Sequence, residues 1–99
     1  MPTRNVQLTA TLVSDSTPVS GKTINFYYRV SGTTTWTSAG SATTDTNGNA
    51  TVTVSLTVPQ TYDFRAEFAG DADYEASYAE VDNYTVKAKT TLTLTITPQ

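Results

Sequence analysis

The 99-residue chain contains no histidine and no cysteine. Those two absences exclude a Ser–His–Asp triad, a cysteine nucleophile and any zinc site built on His or Cys ligands. They also remove the disulfide as a marker of redox compartment. Charge is sparse, at 15% of residues, with six Lys or Arg against nine Asp or Glu and a net charge of −3. An acidic chain of pI about 4.5 is a poor partner for nucleic acid or for an anionic membrane surface. No apolar run approaches a membrane span, and Met1-Pro2 does not read as a signal peptide. A chain of this length makes one domain, with a core adequate for folding and no room beside it for a deep catalytic cleft.

What the chain does have is threonine, which fills about a fifth of it; the β-branched side chain is stiff at χ1 and favours strands while keeping an outer face hydrogen-bonded to water. With 37% hydrophobic residues, this composition predicts an all-β domain with one wet face per sheet. The strongest strand is Tyr62 to Phe68, where Tyr62, Phe64, Ala66 and Phe68 alternate with Asp63, Arg65 and Glu67. A pleated strand buries the first set and wets the second. The chain then has to turn at Gly70-Asp71.

Other alternating segments repeat this logic. Val6, Leu8, Ala10 and Leu12 give a first strand. Ile24, Phe26, Tyr28 and Val30 give a second, with Asn25, Tyr27 and Arg29 on its other face. Trp36 opens a shorter edge strand broken by Gly40, and Ala50, Val52, Val54 and Leu56 form the next. Val58-Pro59 ends that strand, because proline cannot donate to a ladder. A long acidic loop is expected from Gly70 to Asn83, followed by a last strand through Tyr84, Val86 and Ala88. Thr90 to Thr97 alternates once more.

Punctuation between these segments is equally legible. Ser14 to Gly21 is a turn cluster in which Pro18 presets φ and Gly21 permits a positive one. Asp45-Thr46-Asn47-Gly48-Asn49 is the sharpest turn signal, with Asn-Gly suited to a tight hairpin and Asp45 placed to cap it. Six or seven strands with turns about every ten residues and no helical period predict a two-sheet antiparallel sandwich of about seven strands. Tyr62 precedes Phe64 where an antibody domain carries Tyr-x-Cys, so Tyr62 is a candidate tyrosine corner. Phe64, packed with Leu8 or Leu12, would replace the missing disulfide. The expected core is Leu8, Leu12, Ile24, Phe26, Tyr28, Val52, Val54, Tyr62, Phe64 and Phe68.

Four features bear on chemistry. Asp45-x-Asn47-x-Asn49 resembles the start of a calcium loop, but its glycine falls fourth and the twelfth position is Leu56, so the motif fails and a turn explains it. Asp71, Asp73, Glu75, Glu80 and Asp82 form an acidic run without a basic residue. Of these, Asp71, Asp73, Glu75 and Asp82 are the candidate Ca²⁺ ligands, set against a solvated loop in which Asp71 caps the turn and Tyr74 packs on the core. As a glycosidase pair these carboxylates lack a cleft. Tyr27, Arg29, Trp36 and Tyr78 would stack on sugar rings if they share an open sheet face, or pack across strands if they do not. Asn49-Ala50-Thr51 and Asn83-Tyr84-Thr85 fit the N-glycosylation pattern. No residue stands out as a catalyst and no cofactor is expected.

Three of these segments carry a family likeness. FAGDADYEAS resembles the "F/Y-x-G-D-x-x-Y-x-x-S" ending of bacterial and archaeal immunoglobulin-like (Big-type) repeats, which occur in tandem in surface and secreted proteins. LTATLVSDSTPVSGKTINFYYRV resembles the opening of those repeats, and TTDTNGNATVTV their central hairpin. The matches come in family order and span Val6 to Val86. The resemblance implies an immunoglobulin-like sandwich over 1–89, in which Val19 plugs one end where the chain crosses between sheets. It also implies that 90–99 is similar to the first strand of a following repeat. The implied function is a non-catalytic spacer or adhesion-associated module of a cell-surface or secreted protein, with neighbouring repeats as partners and an export signal elsewhere in the parent chain. The alternative is an accessory module that binds carbohydrate through exposed aromatics, a surface protein, or Ca²⁺ through the acidic loop. Leu92, Leu94 and Ile96 share one face, so the segment is expected to be ordered, by extending the last strand, docking on its own domain or pairing with a second copy.

Overall fold

Alternation along the first strand becomes alternation in burial: Val6, Leu8 and Ala10 are half-buried, while Gln7, Thr9 and Thr11 face water. In the computed structural model, which describes residues 2–98, that strand is β1 (Thr3–Thr11). It is followed by β2 (Val13–Ser14), β3 (Thr17–Pro18), β4 (Thr23–Val30), β5 (Thr37–Thr43), β6 (Asn49–Thr57), β7 (Gln60–Phe68) and β8 (Ser77–Val86). β1 pairs with β6, and the order β5-β4-β7-β8 forms a second, four-stranded sheet; all pairings are antiparallel. The strand count exceeds the expected seven because β2 and β3 make a two-residue ladder of their own. Their connection places Asp15 (φ 49) and Ser16 (φ 67) in the left-handed region, as a type I′ turn requires. No helix of the described residues is long and apolar enough to cross a membrane.

The sheets pack against each other through two apolar clusters that share the partly buried Leu8. At one end Leu56, Val58, Tyr62, Phe64 and Val86 are buried, with Val6, Leu8, Tyr28 and Val54 packed against them. Toward the other end lie Ile24, Phe26, Ala50 and Phe68, joined by Leu8, Leu12 and Val52. Leu8 touches both groups, so Leu8 rather than Leu12 is the partner that substitutes for an inter-sheet disulfide beside Phe64. Val19 is buried where the chain crosses between sheets, as expected of a plug. Leu56 and Val58 are the most buried large side chains. Neither is among the expected core residues: Leu56 closes the alternating run expected to bury Val52 and Val54, and Val58 precedes a proline and lies outside any alternating run.

Three expectations need correction. The Asp45–Asn49 segment turns sharply but is not a hairpin, since β5 and β6 belong to different sheets. Its cap is as expected: Asp45 Oδ1 accepts from the amides of Asn47 (2.8 Å) and Asn49 (3.0 Å). Gly48 is required there, because at φ +80 a Cβ would lie 2.5 Å from the Leu12 carbonyl oxygen. Second, β8 starts at Ser77, so Glu80 and Asp82 lie on a strand rather than in the acidic loop. β7 supplies a ready edge for them, and pairing satisfies backbone groups that a loop would leave to water.

Third, Thr90–Thr97 pairs with no strand of its own chain, and Ala88 lies beyond the last strand. Leu92 (97% exposed), Leu94 (86%) and Ile96 (80%) are open to solvent. Extension of the last strand and docking on its own domain are therefore both ruled out in this structure.

Candidate functional site

The outer face of the four-stranded sheet carries every aromatic and charged group that the sequence singled out there. Register decides what meets. Arg29 lies opposite Asp63, Tyr27 opposite Arg65 and Asn25 opposite Glu67 on β7; Arg65 lies opposite Glu80 and Glu67 opposite Tyr78 on β8. Alternation alone sends Asp63 to water, yet it is buried, at 5% exposure. Its Oδ1 accepts from Ser31 Oγ (2.7 Å) and from the backbone amide of Asn83 (2.9 Å), and its Oδ2 accepts from Arg29 Nε (2.9 Å). These bonds, the Asn83 amide first, then Ser31 and Arg29, hold the Asp63 carboxyl down at a pKa of about 2. No motif announces this residue. The one available signal is an acid set directly between Tyr62 and Phe64, with an arginine on the neighbouring strand.

Two guanidinium groups are stacked on this face. Arg29 lies 4.1 Å from the centroid of the Trp36 ring, and Arg65 lies 3.9 Å from that of Tyr78. Arg65 also donates to Glu67 Oε1 (3.0 Å) and to Glu80. Cation–π stacking of this kind is worth about 0.5–1 kcal/mol at an exposed site. It occupies one face of each ring. Trp36 and Tyr78 are thus each paired with an arginine that covers one face of the ring, while Tyr27 lies opposite Arg65 without a stacking partner among the aromatic contacts of the described residues.

The acidic candidates are not gathered. Asp71 Oδ1 accepts from the amides of Asp73 and Tyr74 (both 2.9 Å), while Oδ2 meets Lys22 Nζ at 2.5 Å. The Lys22 ammonium, followed by those amides, lowers the Asp71 pKa. Tyr74 packs toward the core, and Gly70 (φ +83) keeps a Cβ from coming within 2.7 Å of the Ala76 amide nitrogen. Asp73 and Glu75 remain exposed in the loop. Asp82 stands on β8, where burial first, and then the nearby charges of Glu80 and Asp63, raise its pKa. Among the described residues no three Asp or Glu side chains converge to hold a metal ion.

The two glycosylation candidates differ. Asn49 Oδ1 accepts from Thr11 Oγ1 (2.7 Å), whereas Asn83 is exposed at a left-handed position (φ 57) within the β7–β8 irregularity. No family model, no curated protein and no solved structure matches this chain.

Proposed function

We propose that this chain is an immunoglobulin-like repeat unit of a cell-surface or secreted protein, acting as a non-catalytic spacer or adhesion-associated module alongside neighbouring repeats. The observation that carries the reading is the internal saturation of the outer sheet face. Arg29 is spent on Asp63 and Trp36, and Arg65 on Glu67, Glu80 and Tyr78. Groups that satisfy one another rigidify a sheet and have little left to offer a ligand. The immunoglobulin-like part is supported by Tyr62, whose hydroxyl donates to the Thr57 carbonyl at 2.6 Å across the β6–β7 corner. The three sequence motifs in family order support the repeat part.

The competing reading is an accessory carbohydrate-binding module, favoured by the 65% exposure of Tyr78. A glycan array followed by titration calorimetry separates the two. A spacer gives no heat with any sugar. Saturable heat that disappears in Trp36→Ala or Tyr78→Ala would overturn the proposal in favour of the module.

A further inference from the structure

The sandwich is open along one side. Among the described residues β1 pairs only with β6 and β8 only with β7, so each leaves one edge unpaired. These two strands line a groove of about 410 Å³ between the sheets, whose floor is Phe26, Phe64 and Ala66 and whose walls include Leu8, Val81 and Tyr84. The only charged residues lining it are Arg65 and Glu80, and these two are paired with each other. An apolar slot flanked by unpaired strand edges takes an extended segment: the backbone bonds to an edge while alternate side chains enter the slot.

The same chain displays such a segment. Thr90–Thr97 carries no charge, and Leu92, Leu94 and Ile96 alternate with threonines and stand almost fully in water. Groove and segment agree in length. β1 lines the groove from Val6 to Thr11, and residues 91–96 make an extended run of the same number of residues, about 20 Å long.

Self-docking is opposed by the way the chain leaves β8. Ala88 packs against the buried cluster, and the Lys87 carbonyl accepts from Arg4 Nη1 (3.2 Å) at the end of the sandwich where β1 begins. To fold back, the chain must reverse directly after that anchor. Residues 84–97 contain no Gly, Pro, Asn or Asp to make the turn. The segment instead projects outward, and the molecule measures 73 Å in its longest dimension against 32 and 19 Å.

We infer that the β1/β8 groove receives the Thr90–Thr97 segment of a second copy of this chain. Leu92, Leu94 and Ile96 enter the slot, and the incoming strand pairs with an open edge. Reciprocal exchange closes a two-fold dimer, whereas one-way insertion propagates head to tail. The inference stands on the groove and the segment, and it holds or fails independently of the sugar test above.

The test uses two full-length variants at exposed positions. Leu94→Asp spoils the inserted strand and leaves the groove; Val81→Asp spoils the groove and leaves the strand. Sedimentation velocity across a concentration series should show the unaltered chain assembling and each variant alone monomeric, with both variants keeping the melting transition that the parent shows at concentrations where it is monomeric. Mixed together, the two variants should form a one-to-one pair and nothing larger, because the mixture holds one good groove and one good strand. An unaltered chain that stays monomeric at millimolar concentration overturns the inference. So does an assembly that survives Leu94→Asp, or a mixture that stays monomeric. Protection of the Thr91–Ile96 amides from exchange in a monomer would assign the groove to the chain's own segment, and overturns it too.

Discussion

Asp63 holds the backbone of Asn83 on the neighbouring strand, its Oδ1 accepting the Asn83 amide at 2.9 Å. Asn83 is left-handed (φ 57) and sits where the β7–β8 ladder loses register. Its amide has left the regular ladder, and the carboxylate replaces the lost partner. The same side chain binds Ser31 and Arg29. One acid therefore ties three segments of the four-stranded sheet together.

Asp63 makes stability depend on acid. Its pKa is lowered to about 2 in the folded chain, against an ordinary carboxylate value near about 4. A depressed pKa gives stability that is complete above the ordinary value and is lost as pH falls through the folded one. Melting temperature should therefore drop between about pH 4 and about pH 2. Asp71, also lowered, adds to the fall, and Asp82, raised, opposes it. Asp63→Asn places an amide N–H against the Arg29 or Asn83 donor, so it should melt lower at pH 7 and show a shallower acid slope. Parallel melting curves for variant and parent from pH 7 to pH 2 would show that Asp63 is not the responsible group.

The tyrosine corner is tested by one atom. Tyr62→Phe removes the hydroxyl bonded to Thr57 and leaves the ring in place, 6.0 Å from Phe64 and 6.1 Å from Tyr28. Loss of a hydrogen bond that leaves its acceptor unpaired costs about 1–3 kcal/mol. Urea unfolding should show that loss as a shifted midpoint with an unchanged slope. A midpoint equal to the parent's would mean that water takes over the Thr57 carbonyl.

Phe64 is the core residue that fills the inter-sheet space in place of a disulfide. It is buried within the Leu56–Val58–Tyr62–Val86 cluster and meets Tyr84 edge-on at 6.2 Å. Phe64→Ala should cost about 3–5 kcal/mol, a large share of a small domain's stability. Chemical denaturation measures it directly. A change below 1 kcal/mol, by order of magnitude, is incompatible with this packing.

Calcium should leave the melt unchanged. Asp71 is already engaged by Lys22 and by two amides, and Asp82 stands on β8 rather than in the Asp71–Glu75 loop. A metal that binds only the folded form raises the melting temperature by mass action. Scanning calorimetry in millimolar Ca²⁺ and in chelator should give superimposable transitions. A rise that vanishes in Asp73→Asn would establish a site in the loop after all.

Much of this fold is decided locally and so can be read along the chain. Period-2 alternation determines which side of β1, β4, β6 and β7 faces inward, because successive side chains of any strand point to opposite faces. Gly48 and Asp45 mark their turn through their own φ preference and side-chain reach. Tyr62 was legible as a corner from its place before Phe64. What a strand pairs with is not local. Whether Asp45–Asn49 makes a hairpin or a crossing between sheets depends on partners supplied by β1 and β4. The extent of β8 depends on the free edge of β7, which captures Ser77–Val81 despite the charge of Glu80. Asp63 reads as a wet residue on an outward face. Tertiary structure buries it by bringing Ser31 and Asn83, 32 and 20 positions away in sequence, to its Oδ1, while Arg29 donates to its Oδ2. Burial of an outward-facing acid is a property of neighbours, and neighbours are assigned by sheet order, which no window of sequence contains.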